Sequence, residues 1–508
     1  MISRRALLAS MAAAAAAPAW AKPELVIAET PFTAEMVADM ARELATKDYA
    51  PVPQIPQEWL DLTYDEFGHI WFDPRNAIWI DEDRPLKVDL FNAGLFVPRP
   101  AQVNIVEDGV AKTLGYDISL FVKTDEFPDL PIGDTMGYSG FRLRTALEAG
   151  RPDIFNEFVV FQGASYFRAI ANGQTYGLSA RGLALRTGDP NGEEFPDFTK
   201  FWIEAAKPGD TEFVVHALLD GPSTTGAYTF RISHGAKGEP TVMDVEGTLF
   251  PRVDLTHVGL GPLTSMFLFD ETNRNRFDDF RPAVHDSEGL LILNGNGETI
   301  WRPLANPTRV QVSSFTDMNP QGFGLMQRNR TANDYADLEA DYENRPSLWI
   351  TPKGDWGKGV VQLVEIPADR EIYDNIVAYW RPTEPITAGV EHHFSYKMAW
   401  GDEPEGLPEV AKVTNTRIGK GFDQVKTVIA IDFTDHPDMP EDLSKVSMTI
   451  RSNTGEVSKG VLQRNPGTGG VRLAFSMLPG DANAVEMRAQ MHMDGTAISE
   501  VWLYRWTI

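Results

Sequence analysis

Asp286 lies in the segment RPAVHDSEGL (281–290) and Asp374 in EIYDNIVAYWRP (371–382), 88 positions later. Each acid is flanked by groups able to hold it, His285 and Ser287 beside the first, Tyr373 and Asn375 beside the second. Paired carboxyls can do acid/base work on a neutral polymer, sugar above all. One, protonated, supplies a proton to the leaving oxygen, and the other, ionised, takes one from the attacking group. Alone the pair says little, being two acids among 72, most of which must sit in turns or on the surface.

The elements that must position these acids read as strands. Phe32–Lys47 is the one long amphipathic helix, with Met36, Val37, Met40, Ala41 and Leu44 at helical spacing and Thr33 as a candidate N-cap. After it, short β-prone runs alternate with Gly, Pro, Asn and Asp, among them Leu86–Asn92, Phe158–Phe161, Phe213–Leu218, Tyr228–Ile232, Leu290–Leu293 and Val360–Ile366. That rhythm predicts an all-β sandwich or barrel. The charged Pro/Gly stretch 401–408 (GDEPEGLP) marks a linker between a domain at 22–400 and a second at 409–508. The second carries five strand-like runs in about 100 residues, which suits a small immunoglobulin-like sandwich. Trp301, Tyr342, Trp349, Trp356, Tyr379 and Trp380 fall between or near the two acidic segments. Flat aromatic faces suit pyranose rings, so Trp301, Trp356 and Trp380 join Tyr342, Arg345 and His285 as expected substrate contacts. Most aromatics of a sandwich nevertheless fill its core.

Other chemistries find little support. Cys is absent, which excludes thiol catalysis, thiolate metal sites and disulfides. There is no HExxH and no GxSxG, and His392-His393 lie on a strand-like run, where neighbours point to opposite faces. Asn294-Gly295-Asn296-Gly297 signals a tight turn. Asp270–Asp279 has calcium-loop composition without the EF-hand spacing. No metal and no cofactor is expected. The net charge of −26 disfavours nucleic acid and anionic lipid as partners.

Residues 1–21 form an export signal, with Arg4-Arg5, an apolar run Ala6–Ala17 and an A-x-A cleavage site after Ala21. The paired arginines favour the twin-arginine route over an ordinary secretory one. No later stretch reaches the roughly 18 apolar residues of a membrane span. The protein is therefore expected in the periplasm.

The blocks GASYFRAI (163–170), GLSARGLA (177–184), GEEFPDFTKFWIE (192–204), RPAVHDSEGL (281–290), NPQGFGLMQR (319–328), RPSLWITPKGDWGKGVVQLVEIP (345–367) and DNIVAYWRP (374–382) resemble the periplasmic glucan biosynthesis proteins OpgG and OpgD (MdoG and MdoD). The resemblance runs from about residue 30 to 385 and is looser beyond. It implies a large galactose-mutarotase-like β-sandwich plus a small immunoglobulin-like domain, and an exported protein, the D branch carrying a twin-arginine signal. It also implies glycoside hydrolase activity on β-1,2-glucan with anomeric inversion. By the same resemblance Asp374 is the general acid, Asp286 the second acid of the site, on the base side, and Tyr342 a cleft residue. A loop near Thr414–Phe422 is implied to reach a cleft, its own or a partner's in a homodimer.

One departure bears on the reaction. Where hydrolytic relatives carry Thr-Asn before the acid, this chain has Ile372-Tyr373. Larger, less water-friendly side chains there would break a water relay and favour attack by a sugar hydroxyl, giving a transglycosylase that cyclises linear β-1,2-glucan through an α-1,6 link. The alternatives are an endo-β-1,2-glucanase and a non-catalytic glucan-binding or export subunit.

Overall fold

Apolar and polar residues alternating along short runs give each strand a wet and a dry face, and two such sheets can close a core between their dry faces. The computed structural model describes residues 25–148 and 150–508, so the expected export signal lies outside the described residues. The fold is all-β. One sheet of 16 strands includes the run Asp197–Glu204, Glu212–Asp220, Thr224–Ser233, Thr241–Pro251 and His392–Gly401, then Ser347–Lys353, Gly322–Met326, Gly289–Leu293 and Thr299–Pro303. A second, of 10 strands, runs from Gln311–Met318 through Lys358–Glu365, Ile376–Pro382, Val258–Ser265, Ser179–Arg181 and Tyr166–Ala169 to Lys87–Asn92 at its far edge.

The two sheets meet through aromatic side chains. Phe161 and Phe167 of the smaller sheet contact Phe201 and Phe230 of the larger, with ring centroids 5.1–5.7 Å apart. The predicted helix spans Ala34–Ala45. Thr33 precedes it in extended backbone, but its side chain makes no capping hydrogen bond. Val37 and Ala41 bury against Trp202, Leu218 and Phe250. Their strand neighbours Phe201 and Leu219 point the other way, into the main core. The one-turn helices Gln57–Leu60 and Tyr64–Phe67 are too short to leave a periodic signal; the second is set by a Thr63–Glu66 capping box.

The last hundred residues form the small immunoglobulin-like sandwich. Val413–Lys420, Thr427–Phe433 and Val471–Leu478 make one layer, and Ser447–Ser452, Ala484–Met493 and Val501–Thr507 the other. The second layer continues the 16-stranded sheet, because Val501–Thr507 pairs parallel to Thr299–Pro303 through Ile300↔Val501 and Trp301↔Trp502. Its core accordingly takes in Trp301, Met326 and Trp349 from the larger unit, with Ile429, Phe475 and Trp502 from the smaller.

Candidate active site

Phe267 brings the two acids together. Ser265 pairs with Ile376 at the end of the strand Val258–Ser265, and the chain resumes as Phe267–Phe269, where Phe267 pairs with His285. On its other side the Asn375 amide grips the same residue: Oδ1 accepts from Phe267 N–H at 2.8 Å, and Nδ2 donates to Phe267 C=O at 3.0 Å. Asn375 Nδ2 also donates to Ile366 C=O at 3.0 Å. Asp286 follows His285, its N–H donating to Met266 C=O at 2.8 Å, and Asp374 precedes Asn375. One residue of backbone thus ties together the two segments that carry the acids, close enough for the charge of Asp374 to act on Asp286.

The acids differ in their surroundings. Asp286 is buried and ion-paired with Arg345. Arg345 lies 4.2 Å from the Tyr342 ring centroid and is held by Ala340 C=O, which accepts from its Nη2 at 2.8 Å. Burial pushes Asp286 up to about 6, the Arg345 charge draws it down, and the charge of Asp374 pushes it up again. Asp374 is reachable by water yet crowded by protein, like a group on the floor of a cleft. This crowding raises its pKa, and the charges of Arg168 and Arg181 oppose the rise. Among the described residues it has no hydrogen bond or ion pair. Mutual repulsion falls on whichever acid ionises second, so the two titrate as a pair.

A third carboxylate closes the cluster. Tyr342 Oη donates to Glu371 at 3.1 Å, and Glu371 pairs with Arg281 at 2.8 Å. Arg281 also holds Asp279 and Asp337, each at 2.8 Å. Arg181 donates to Thr264 at 2.8 Å and Glu193 at 2.6 Å, its guanidinium 4.8 Å from the Tyr166 ring centroid. Beside Arg168 opens a cavity of about 320 Å³ lined by Tyr166, Tyr176, Arg142, Glu157 and Gln162. The Tyr176 hydroxyl is buried there without a hydrogen-bond partner. Arg168, Arg181 and Glu371 were not picked out from the sequence. Both arginines lie inside blocks that carried the resemblance, but only the fold brings their charges near enough to act on Asp374.

Of the other expected substrate contacts, Trp301, Trp380 and His285 are buried and Trp356 is partly exposed. Trp380 is wholly buried in the main core, since strand alternation turns it inwards and Tyr379 to the opposite face, where Tyr379 is buried against Ala184, Val364 and Val377. Trp301 fills the second core beneath the Arg328 guanidinium, 3.8 Å from its ring centroid. Trp356 packs at the core margin against Trp380 and Tyr396, its Nε1 donating to Ser395 C=O at 3.2 Å. His285 is wholly buried behind Asp286. Its ring stacks on Phe267 at 5.5 Å, and Nδ1 lies 2.9 Å from Gln327 Oε1. Burial lowers it to about 4, so it is a neutral support and not a sugar contact. Arg345 and Tyr342 do lie at the acids, and Ile372 and Tyr373 stand exposed beside Asp374. Asp270 closes a turn by accepting from Thr272 N–H at 2.7 Å, and no cluster of three or more potential metal ligands occurs among the described residues.

A buried, arginine-paired carboxyl and an exposed, unpaired one on an all-β scaffold are an arrangement suited to a carbohydrate-active protein, and the comparisons agree. Residues 32–506 match the family described as "Periplasmic glucan biosynthesis protein, MdoG". The chain is 45% identical over 499 residues to "Glucans biosynthesis protein G 1" of Shewanella oneidensis, covering 97% of this chain and 90% of that one. It is 46% identical over 482 residues to "Glucans biosynthesis protein G" of Vibrio cholerae, covering 94% and 87%. A solved GH36 alpha-galactosidase, AgaB of Geobacillus stearothermophilus, aligns with a TM-score of 0.24 and 10% identity over 52% of this chain and 39% of that one. That likeness is too slight to carry an argument. The chain belongs to the MdoG family of periplasmic glucan biosynthesis proteins. Among the described residues no helix is long and apolar enough to cross a membrane.

Proposed function

We propose that this protein acts on linear β-1,2-glucan with inversion at the anomeric carbon, and that it transfers the glycosyl group to a sugar hydroxyl of the same chain, closing an α-1,6 link. The observation that carries the reading is the asymmetry of the acid pair. A direct guanidinium contact holds negative charge on Asp286, whereas Asp374 has no such partner. Burial, the largest influence on Asp286, and the repulsion from Asp374 argue the other way, while the Arg345 contact opposes both and outweighs the repulsion. Asp374 then keeps the proton when a sugar displaces water around it, and donates it to the leaving glycosidic oxygen. Asp286 accepts the proton of the attacking hydroxyl, directly or through a relay. The attack comes from the opposite face of the ring, so a β donor yields an α product without a covalent intermediate. Exposed Ile372 and Tyr373 offer a sugar ring an apolar surface beside the acid and offer a water relay no hydroxyl or amide at position 372.

Export through the twin-arginine route and pairing of two copies belong to the same proposal. The test is to incubate purified protein with linear β-1,2-glucan and follow products by thin-layer chromatography and reducing-end titration. A cyclic product lacking a reducing end, released together with a shorter linear chain and with the total number of reducing ends unchanged, is expected. Short oligosaccharides with new reducing ends would replace transfer by hydrolysis, and an unchanged polymer across pH would remove the enzymatic reading.

A further inference from the structure

A second site lies outside the acid cluster. Between the edge strand Gln311–Met318 and the C-terminal strands Ser447–Ser452, Ala484–Met493 and Val501–Thr507 is a cavity of about 470 Å³. Four arginines line it, Arg302, Arg451, Arg488 and Arg505, against one acid, Glu486. In a chain of 72 acidic and 46 basic residues, that concentration runs against composition.

Three of the four have carboxylate partners. Arg302 meets Glu365 at 3.2 Å, Arg488 meets Glu298 at 2.5 Å, and Arg505 lies 3.3 Å from Glu486. Arg451 has no hydrogen bond or ion pair among the described residues. Sheet register sets it directly opposite Arg488, and like charges opposed across antiparallel strands destabilise the pair. One further donor is unused, since Ser313 Oγ is buried without a hydrogen-bond partner. Asn453 Oδ1 accepts from Glu486 N–H at 2.8 Å, which leaves its NH₂ as another donor. What these groups lack is an acceptor with several oxygens and negative charge.

We propose that this cavity binds a phosphate monoester. Arg451 would take its terminal oxygens through its guanidinium fork and Arg505 through Nη2, its Nε being paired with Glu486 and its Nη1 with Val312 C=O, with Ser313 and Asn453 as neutral donors. A carboxylate presents two oxygens in one plane, whereas a phosphate presents three in a tetrahedral spread, which suits donors arriving from separate strands. An anion there also offsets the Arg451–Arg488 opposition.

The test titrates the whole chain with glycerol phosphate, inorganic phosphate and succinate at constant ionic strength, by calorimetry. Glycerol phosphate is expected to saturate one site per chain. Arg451→Gln should weaken it by about tenfold or more, the loss expected for a charge-assisted fork. Lys237→Gln, an equal charge change at an exposed lysine elsewhere, should not. Arg505→Lys keeps the charge and removes the Nη2 donor, and should weaken binding several-fold with an unchanged melting curve. Absent saturation, or equal affinity in the wild type and Arg451→Gln, overturns the site. Tighter binding of inorganic phosphate overturns the ester, and equal binding of succinate overturns the choice of phosphate.

Discussion

Asp374 and Asp286 are chemically the same side chain, and the difference between them is made by neighbours. Burial raises both, and Arg345 alone makes a direct pair with one of them. Asp374→Asn should therefore abolish turnover while leaving glucan affinity close to that of the wild type, as measured by calorimetry beside the product assay. Retained turnover would take the acid role from Asp374. Arg345→Gln gives a sharper test of the base. Asp286 lies up at about 6 even with Arg345 drawing it down, so loss of Arg345 moves it further upward. The base works ionised, and the acid limb of the kcat/KM profile should then shift to higher pH in this variant. A limb that stays in place sinks Asp286 as base. These two acids and Tyr342 were legible in the sequence because their flanking motifs resemble a family. The tryptophans were not, because aromatic composition carries no information about which side of a strand a ring occupies. Strand parity sends Trp380 inwards and Tyr379 to the opposite face.

At the scale of elements, the site depends on two short segments that no periodicity announces, Phe267–Phe269 and Val284–His285. Asn375 stitches the first to the acid-bearing segment with two hydrogen bonds from one buried amide, which makes a third to Ile366 C=O. Asn375→Ala leaves the N–H of Phe267 and two carbonyls unpaired inside the fold. At about 1–3 kcal/mol for each buried group left unsatisfied, the variant should lose several kcal/mol of stability, seen in urea unfolding. Its kcat should fall further than its KM rises, since Asp374 is the next residue along. Stability within about 0.5 kcal/mol of the wild type would show that the stitch is not what fixes Asp374. Gly177 has a related part on the other side, because a Cβ there would come within 2.9 Å of the Arg345 Cβ. Some of the strands could be read from β-prone runs, as at Leu86–Asn92 against the observed Lys87–Asn92. The pairing that makes Phe267 a hub could not, because it joins residues more than 100 positions apart through a side-chain amide.

For the whole molecule, the notable join is between the two sandwiches, and it contains acids that titrate near neutrality. Arg328 ties the units by donating to Val413 C=O at 2.6 Å and to Glu500 at 2.6 and 2.9 Å, with Glu403 at 3.2 Å. Against it lies Glu288, which accepts from the N–H groups of Asn329 at 2.5 Å and Arg328 at 3.2 Å. Burial raises Glu288 to about 8 despite these donors, and raises Asp270 beside it to about 7. Both folded values exceed the unfolded ones of 4.5 and 3.8, so the folded state holds more protons between those limits. Stability is then full below about pH 4 and declines as pH rises through about 8, by linkage. Glu288→Gln keeps an acceptor for the two N–H groups and cannot ionise, and Arg328 retains Glu500 and Glu403. This variant should melt higher than the wild type at pH 8, match it closely at pH 5, and show a shallower slope of Tm between the two. A wild-type Tm that is flat over that range, or an equal slope in both proteins, would mean that the joint is not held by these protons.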